Sequence, residues 1–294
     1  MAEGTTGSTV PRRQLGRHLK ELRGRARLTV RAAAASLEWS EAKMWRIETG
    51  QTPLRALDVQ AMCTVYGAPA DLTQALMELA KETKARGWWH SYESIPAWFN
   101  VYVGLEESAS DLATYESTLV PGLLQTDEYA RAVTLTHHPE TAEDELAGRV
   151  RLRLERQSIL TRPADPTPLR VALSEAVLRT PVGGAEVMAR QLAHLVYMSA
   201  LPHIRVRVVP FVIGAHSGIT TGPFVILRFP VRGDGAETEP PTVYADGYTG
   251  GLYLDKASEV AQYETAFAGI WSAALDEEAT QHLLADVAGS YRQS

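Results

Sequence analysis

Residues 40–51 read SEAKMWRIETGQ. Met44 and Ile47 fall on one side of a helix here, and Lys43 and Arg46 stand nearby. Ser40 supplies a hydroxyl at the start and Gly50 a stop. Such a helix either packs on a core or offers cations and hydrogen-bond donors to the groove of a DNA duplex. What precedes it decides between the two. Residues 12–27, RRQLGRHLKELRGRAR, carry Leu15, Leu19 and Leu22 at spacings of four and three, one apolar stripe of an amphipathic helix. Thr29 offers an N-cap to a second, alanine-rich helix, VRAAAASL. A break of a few residues follows, Ser40 caps a third helix over 40–49, and Gly50 ends it. This is helix-turn-helix spacing, in which the second helix braces and the third aims its N-terminal side chains at base edges. The helix N-termini at Thr29 and Ser40 present N–H groups and positive dipole ends that suit phosphates. A fourth helix at about 54–66, closed by Gly67, and a fifth over DLTQALMELAKETKAR complete a five-helix all-α head.

Charge follows the same division. The chain has 294 residues and a net charge of −6. Residues 1–86 hold 14 Lys and Arg against 9 Asp and Glu, a surplus of +5, whereas residues 87–294 carry −11. Eight of the cations lie between residues 11 and 31. A basic head on an acidic body points to a polyanion as partner of the head alone, or to a solvated helix face.

The head resembles the Xre (phage-repressor Cro/C1) type of helix-turn-helix. The likeness falls on Leu19, Leu22, Arg23, Leu28, Thr29, Ala34, Ser40, Arg46, Ile47, Glu48 and Gly50. It implies that Arg23 and Glu48 form an ion pair linking the first and third helices. It further implies that Glu41, Ala42 and Arg46 face bases, that Thr29 and Thr49 lie near phosphates, and that Lys43 flanks them. Arg46 can fork onto O6 and N7 of guanine, worth roughly 1–3 kcal/mol of discrimination, or touch phosphate alone. Glu41 can accept from cytosine N4 or simply favour the helix N-terminus. Three positions depart from the pattern: Val30 for glutamine, Glu38 for the turn glycine, and Trp45 for a serine before Arg46. Glu38 must take an awkward conformation or a different turn. Trp45 stacks on sugar or a thymine methyl, or is packed away.

Residues 1–10 read as a disordered polar tail, 11–86 as the DNA-binding domain, 87–100 (GWWHSYESIPAWFN) as an aromatic junction, and 101–294 as a larger α+β domain. Within it, alternating and β-rich stretches near 111–120, 169–178, 204–211, 222–230, 242–247 and 251–255 predict a mixed or antiparallel sheet of about five strands among helices. The length of 142–160 favours one helix there, and 231–241 reads as an exposed, mobile loop. The body resembles the C-terminal domain of unknown function common in actinobacterial Xre-type regulators, most specifically in LVPGLLQTDEYARAV. The likeness implies a regulator, often encoded beside a small acidic partner protein in an antitoxin-like arrangement.

Chemistry in the body is sparse. GAHSG (214–218) lacks the serine position of a nucleophile elbow. His216 in that loop, and Tyr248 with Asp246 and Tyr253 in DGYTGGLYLD, can line a partner or ligand site, or belong to a plain loop and a hairpin. No phosphate-binding loop, metal cluster or dinucleotide fingerprint occurs, so no catalytic residue, metal or cofactor is expected. The single cysteine, Cys63, sits in an apolar helix pattern and reads as a small buried hydrophobe. No apolar run is long enough for a membrane span, and the N-terminus lacks a signal-peptide core; a cytoplasmic location is the expectation. The sequence therefore predicts a homodimeric regulator that binds double-stranded DNA through its head, its body dimerising and sensing a partner protein or ligand. The alternatives are an antitoxin-like neutraliser of a small protein, or an enzyme with an unrecognised site near His216 or Tyr248.

Overall fold

The computed structural model describes residues 9–83, 92, 97–231, 237–247 and 250–293. The chain divides into two compact units, Met1–Ser108 and Ala109–Ser294.

The first unit is helical: α1 (Thr9–Arg25), α2 (Val30–Ser36), α3 (Glu41–Glu48), α4 (Ala56–Tyr66), α5 (Ala70–Glu82) and α6 (Ala97–Ser108). Helix α1 starts at Thr9, inside the stretch expected to be a tail. It stops before Arg27, whose φ of 57° breaks the helix. Leu15, Leu19 and Leu22 from α1 join Met44 and Ile47 from α3 and Val59, Met62, Cys63 and Tyr66 from α4 in one buried core. Burying Met44 and Ile47 stabilises the unit by roughly 1.5–3 kcal/mol each. Gly16 lets α1 and α3 touch, since a Cβ there would lie 2.5 Å from the Ile47 carbonyl oxygen. Gly67 closes α4 in the left-handed conformation. Most of the aromatic junction expected at 87–100 lies outside the described residues.

The second unit is α+β. Its elements are β1 (Asp111–Glu116), α7 (Asp127–His137), α8 (Glu143–Arg156), α9 (Ser158–Thr161), β2 (Leu169–Ser174), α10 (Glu175–Arg179), α11 (Ala185–Ser199), β3 (Ile204–Val209), α12 (Ser217–Thr221), β4 (Phe224–Arg228), β5 (Thr242–Gly247), β6 (Gly250–Leu254), α13 (Ala257–Ala273) and α14 (Glu277–Gln293). The six strands form one mixed sheet in the order β3-β2-β1-β4-β5-β6, one strand more than expected. β1, β2 and β3 are parallel, with Leu112 opposite Leu169 and Leu169 opposite Ile204. β4, β5 and β6 follow antiparallel. One face packs Ala113, Tyr115, Phe224, Ile226 and Val243 against Val260, Phe267 and Ile270 of α13. Helices α11 and α14 pack on each other and on β3. The outer edge of β3 is capped at Val208, where Leu275 N–H donates to the carbonyl and the Val208 N–H donates to Thr280 Oγ1.

Two local expectations change. The helix expected over 142–160 is two, α8 and α9. They are interrupted at Gln157, whose amide donates to the carbonyls of Gly122 and Gln125. In the loop 231–241, expected to be exposed, Glu239 is fully buried and Val231 bridges Glu237. Among the described residues no helix is long and apolar enough to cross a membrane.

Candidate nucleic-acid interface

Local rules place the side chains of the head. Thr29 Oγ1 accepts from Ala32 N–H at 3.1 Å and Ser40 Oγ from Lys43 N–H at 3.1 Å, so α2 and α3 both begin under a hydroxyl cap. Each cap uses its hydroxyl, and what remains at the N-terminus of α3 is the other first-turn N–H groups. Between the helices the chain turns through Glu38, which takes φ 54°. This is the awkward conformation expected of a side chain in a glycine's place.

With Met44 and Ile47 locked inward, helical periodicity turns 41, 42, 45, 46 and 49 the other way. Glu41, Ala42, Trp45 and Arg46 are exposed there, and Thr49 is half-buried at the end of the stripe. Trp45 is 56% exposed, so the packed-away alternative for its ring does not hold. Thr49 Oγ1 donates to the Trp45 carbonyl at 2.7 Å. Lys43 leaves this stripe: its ammonium lies 3.3 Å from the centroid of the Trp39 ring, a cation–π contact the sequence did not flag. The useful signal was a tryptophan four residues before a lysine across the turn.

The frame under α3 is an ion pair. Arg23 Nε donates to Glu48 Oε1 at 2.6 Å and its second nitrogen to Oε2 at 2.8 Å, while the third donates to the Leu28 carbonyl at 2.8 Å. The bidentate geometry joins the end of α3 to α1, and the hydrogen bond to Glu48 raises the Arg23 pKa above its usual value. Below it, burial first and then the Glu48 charge push the Tyr66 phenol up to about 12.

The basic run of residues 11–31 is less free than its charge suggested. Arg12 donates to the Thr83 carbonyl, Arg13 is buried, and Arg23 is committed to Glu48. Lys20, Arg25, Arg27 and Arg31 remain on the surface, with Arg46 on α3.

In the second unit, His216 caps α12. Its Nδ1 accepts from Gly218 N–H at 3.1 Å, and its ring meets Tyr115 edge-on, centroids 5.8 Å apart. A Cβ at Gly218 would fall 2.4 Å from the Tyr115 ring, so this glycine serves packing. Tyr248 lies outside the described residues. No group of three or more metal-ligating side chains occurs among those described.

Compared with known protein families, residues 14–76 match a helix-turn-helix domain and residues 99–286 match a domain of unknown function, DUF5753. No curated protein and no solved structure matches the chain.

Proposed function

Because this chain belongs to the family built on the DUF5753 domain of unknown function, and carries a helix-turn-helix domain ahead of it, we propose that it is a sequence-specific DNA-binding transcriptional regulator of the Xre type. The helix-turn-helix domain points to a DNA-binding regulator rather than an enzyme. One observation carries the finer reading: the stripe Glu41, Ala42, Trp45, Arg46 and Thr49 on α3 is turned outward, while its opposite face is fixed in the core. Arg46 reads a guanine, Glu41 and Ala42 face neighbouring bases, and Trp45 packs on sugar or a thymine methyl. The first-turn N–H groups of α3 beyond Ser40, the flank at Lys43, and Thr29 and Thr49 border the phosphates. Working on DNA places the protein in the cytoplasm. A homodimer sets two heads on half-sites about one helical turn apart. The second unit dimerises and senses a partner or ligand, and binding there shifts the balance between head arrangements.

The test is selection of bound fragments from random DNA, followed by a salt series on the recovered site. The reading requires a short paired motif, with log affinity falling linearly against log salt concentration. Recovery of no motif, with equal affinity for all fragments, overturns it.

A second reading has its own support. Phe211, Val212, Ile213 and Ile219, between β3 and β4, are 58%, 90%, 43% and 65% exposed. A cluster of bare apolar side chains of that kind marks a protein contact. It favours an antitoxin-like role in which a small acidic partner protein seats on this loop and DNA binding is autoregulatory. Stoichiometric co-purification of such a partner, lost in Phe211→Ser with Val212→Ser, supports it; unchanged co-purification contradicts it.

A further inference from the structure

In the second unit, titratable side chains converge where β1 and β5 both end. Each pairs antiparallel with β4, so the two run the same way and finish together at Glu116 and at Asp246. Side chains alternate along a strand. Tyr115 and Val243 belong to the core under α13, so Glu116, Tyr244 and Asp246 point to the opposite face, where α7 and α8 bring Tyr129 and Arg153. Electrostatic coupling ties the group together. Glu116 feels Asp246, Tyr129 feels both Glu116 and Arg153, and Asp246 feels Arg153 and His137.

The hydrogen bonds leave one member out. Arg153 donates to Gln125 Oε1 at 3.1 Å and to the Ala130 carbonyl at 3.4 Å. Tyr129 Oη accepts from Val120 N–H at 3.2 Å, and Tyr244 Oη donates to Asp246 Oδ1 at 3.1 Å. Glu116 is half-buried, and among the described residues no hydrogen bond or ion pair reaches its carboxylate. A carboxylate in such surroundings without a donor is strongly disfavoured. Burial first, and the Asp246 charge second, push its carboxyl up to about 8. It therefore holds a proton at neutral pH. Two arginines stand near, Arg153, held through one nitrogen on the Gln125 and Ala130 oxygens, and the buried Arg156, which faces Tyr244; neither reaches the Glu116 carboxyl, and the missing component there is a positive donor. Aromatic walls stand beside it. The rings of Tyr244 and Tyr253 lie 5.1 Å apart, and a Cβ at Gly251 would come within 2.4 Å of Tyr244.

We propose that this end of the sheet binds a small organic cation, an ammonium or guanidinium compound, with Glu116 as its anchoring carboxylate, Asp246 as a second acceptor and Tyr244 as an aromatic wall. The cation takes the place of the proton on Glu116, so binding releases a proton. This gives a ligand class to the sensing role of the second unit; it rests on that reading only for its consequence on DNA.

The experiment is calorimetric titration of the full-length protein, without DNA, with n-butylguanidinium and n-butylammonium, using n-butanol and butyrate as uncharged and anionic controls. Both cations should bind and both controls should not. Affinity should rise roughly tenfold per pH unit from about pH 6 to about pH 8 and then level off. Glu116→Gln should abolish binding while its thermal melt stays cooperative, and Asp246→Asn should weaken binding about tenfold. Absence of binding by either cation above about pH 8, equal binding by Glu116→Gln, or preference for butyrate overturns the site. The DNA selection is run on the same preparation. Failure there with cation binding intact overturns the regulatory reading and leaves the site; the reverse result does the opposite.

Discussion

In the first unit, every side chain proposed to meet DNA comes from residues 29–49, and its direction follows from neighbours within a few positions: a cap hydroxyl, a left-handed Glu38, two core residues on α3. In the second unit, Glu116 and Asp246 come from strands far apart in the chain and meet only because β4 is laid between them. The head builds its surface from local structure and one long-range staple, Arg23 to Glu48. The body builds its polar cluster from sheet order. A head of this kind tolerates change on its exposed stripe and little change beneath it. The body concentrates its vulnerability to pH, and its proposed capacity to respond to a ligand, at one half-buried carboxyl.

The largest difference between the two units is expected at the staple. Removing Arg23 leaves the Glu48 carboxylate nearly buried and unpaired, which costs about 3–5 kcal/mol. Arg23→Ala should therefore unfold the head at markedly lower urea and abolish DNA binding, while cation binding by the body survives; helicity and binding measured together check this. An effect of opposite sign is expected at Glu116. Its folded carboxyl titrates near 8 against 4.5 when unfolded, so the folded state keeps a proton that the unfolded state gives up. Stability is thus full below about pH 4.5 and falls as pH rises towards about 8. Glu116→Gln should be more stable than the natural protein near pH 8. The two should converge below about pH 4.5 in urea denaturation followed across pH. Smaller still, Glu38→Gly removes a left-handed strain of about 1–2 kcal/mol and adds chain entropy worth roughly 0.5–1 kcal/mol. A slight net gain in thermal stability of the head should follow, with DNA affinity retained.

How much was legible in the sequence divides along the same line. The stripe Leu15, Leu19 and Leu22, the caps at Thr29 and Ser40, the stop at Gly67 and the anomaly at Glu38 are all short-range features, and a pattern of periods and caps exposes them. What escaped in the head depended on side-chain choice: Lys43 lying over Trp39, and the burial of Arg13 that removes a cation from the surface. In the body, alternation showed the strands and DGYTGG the hairpin between β5 and β6. Alternation carries no information on strand order. The partnership of Glu116 with Asp246 was therefore invisible even though Asp246 stood out beside its glycines. Glu239 was missed for a related reason, since a polar, glycine-rich stretch reads as solvent loop whether or not the rest of the domain closes over it.

The outward stripe of α3 is proposed to read bases. Its most direct measurement is the affinity of the natural protein and of Arg46→Ala for the selected site, for that site with each base pair replaced in turn, and for random DNA, in a salt series. Arg46→Ala should lose roughly 1–3 kcal/mol on the selected site and cease to discriminate at one guanine. Random-DNA affinity and the other positions should change little. Equal losses on specific and random DNA, with no position relaxed, would contradict it and leave Arg46 a phosphate contact.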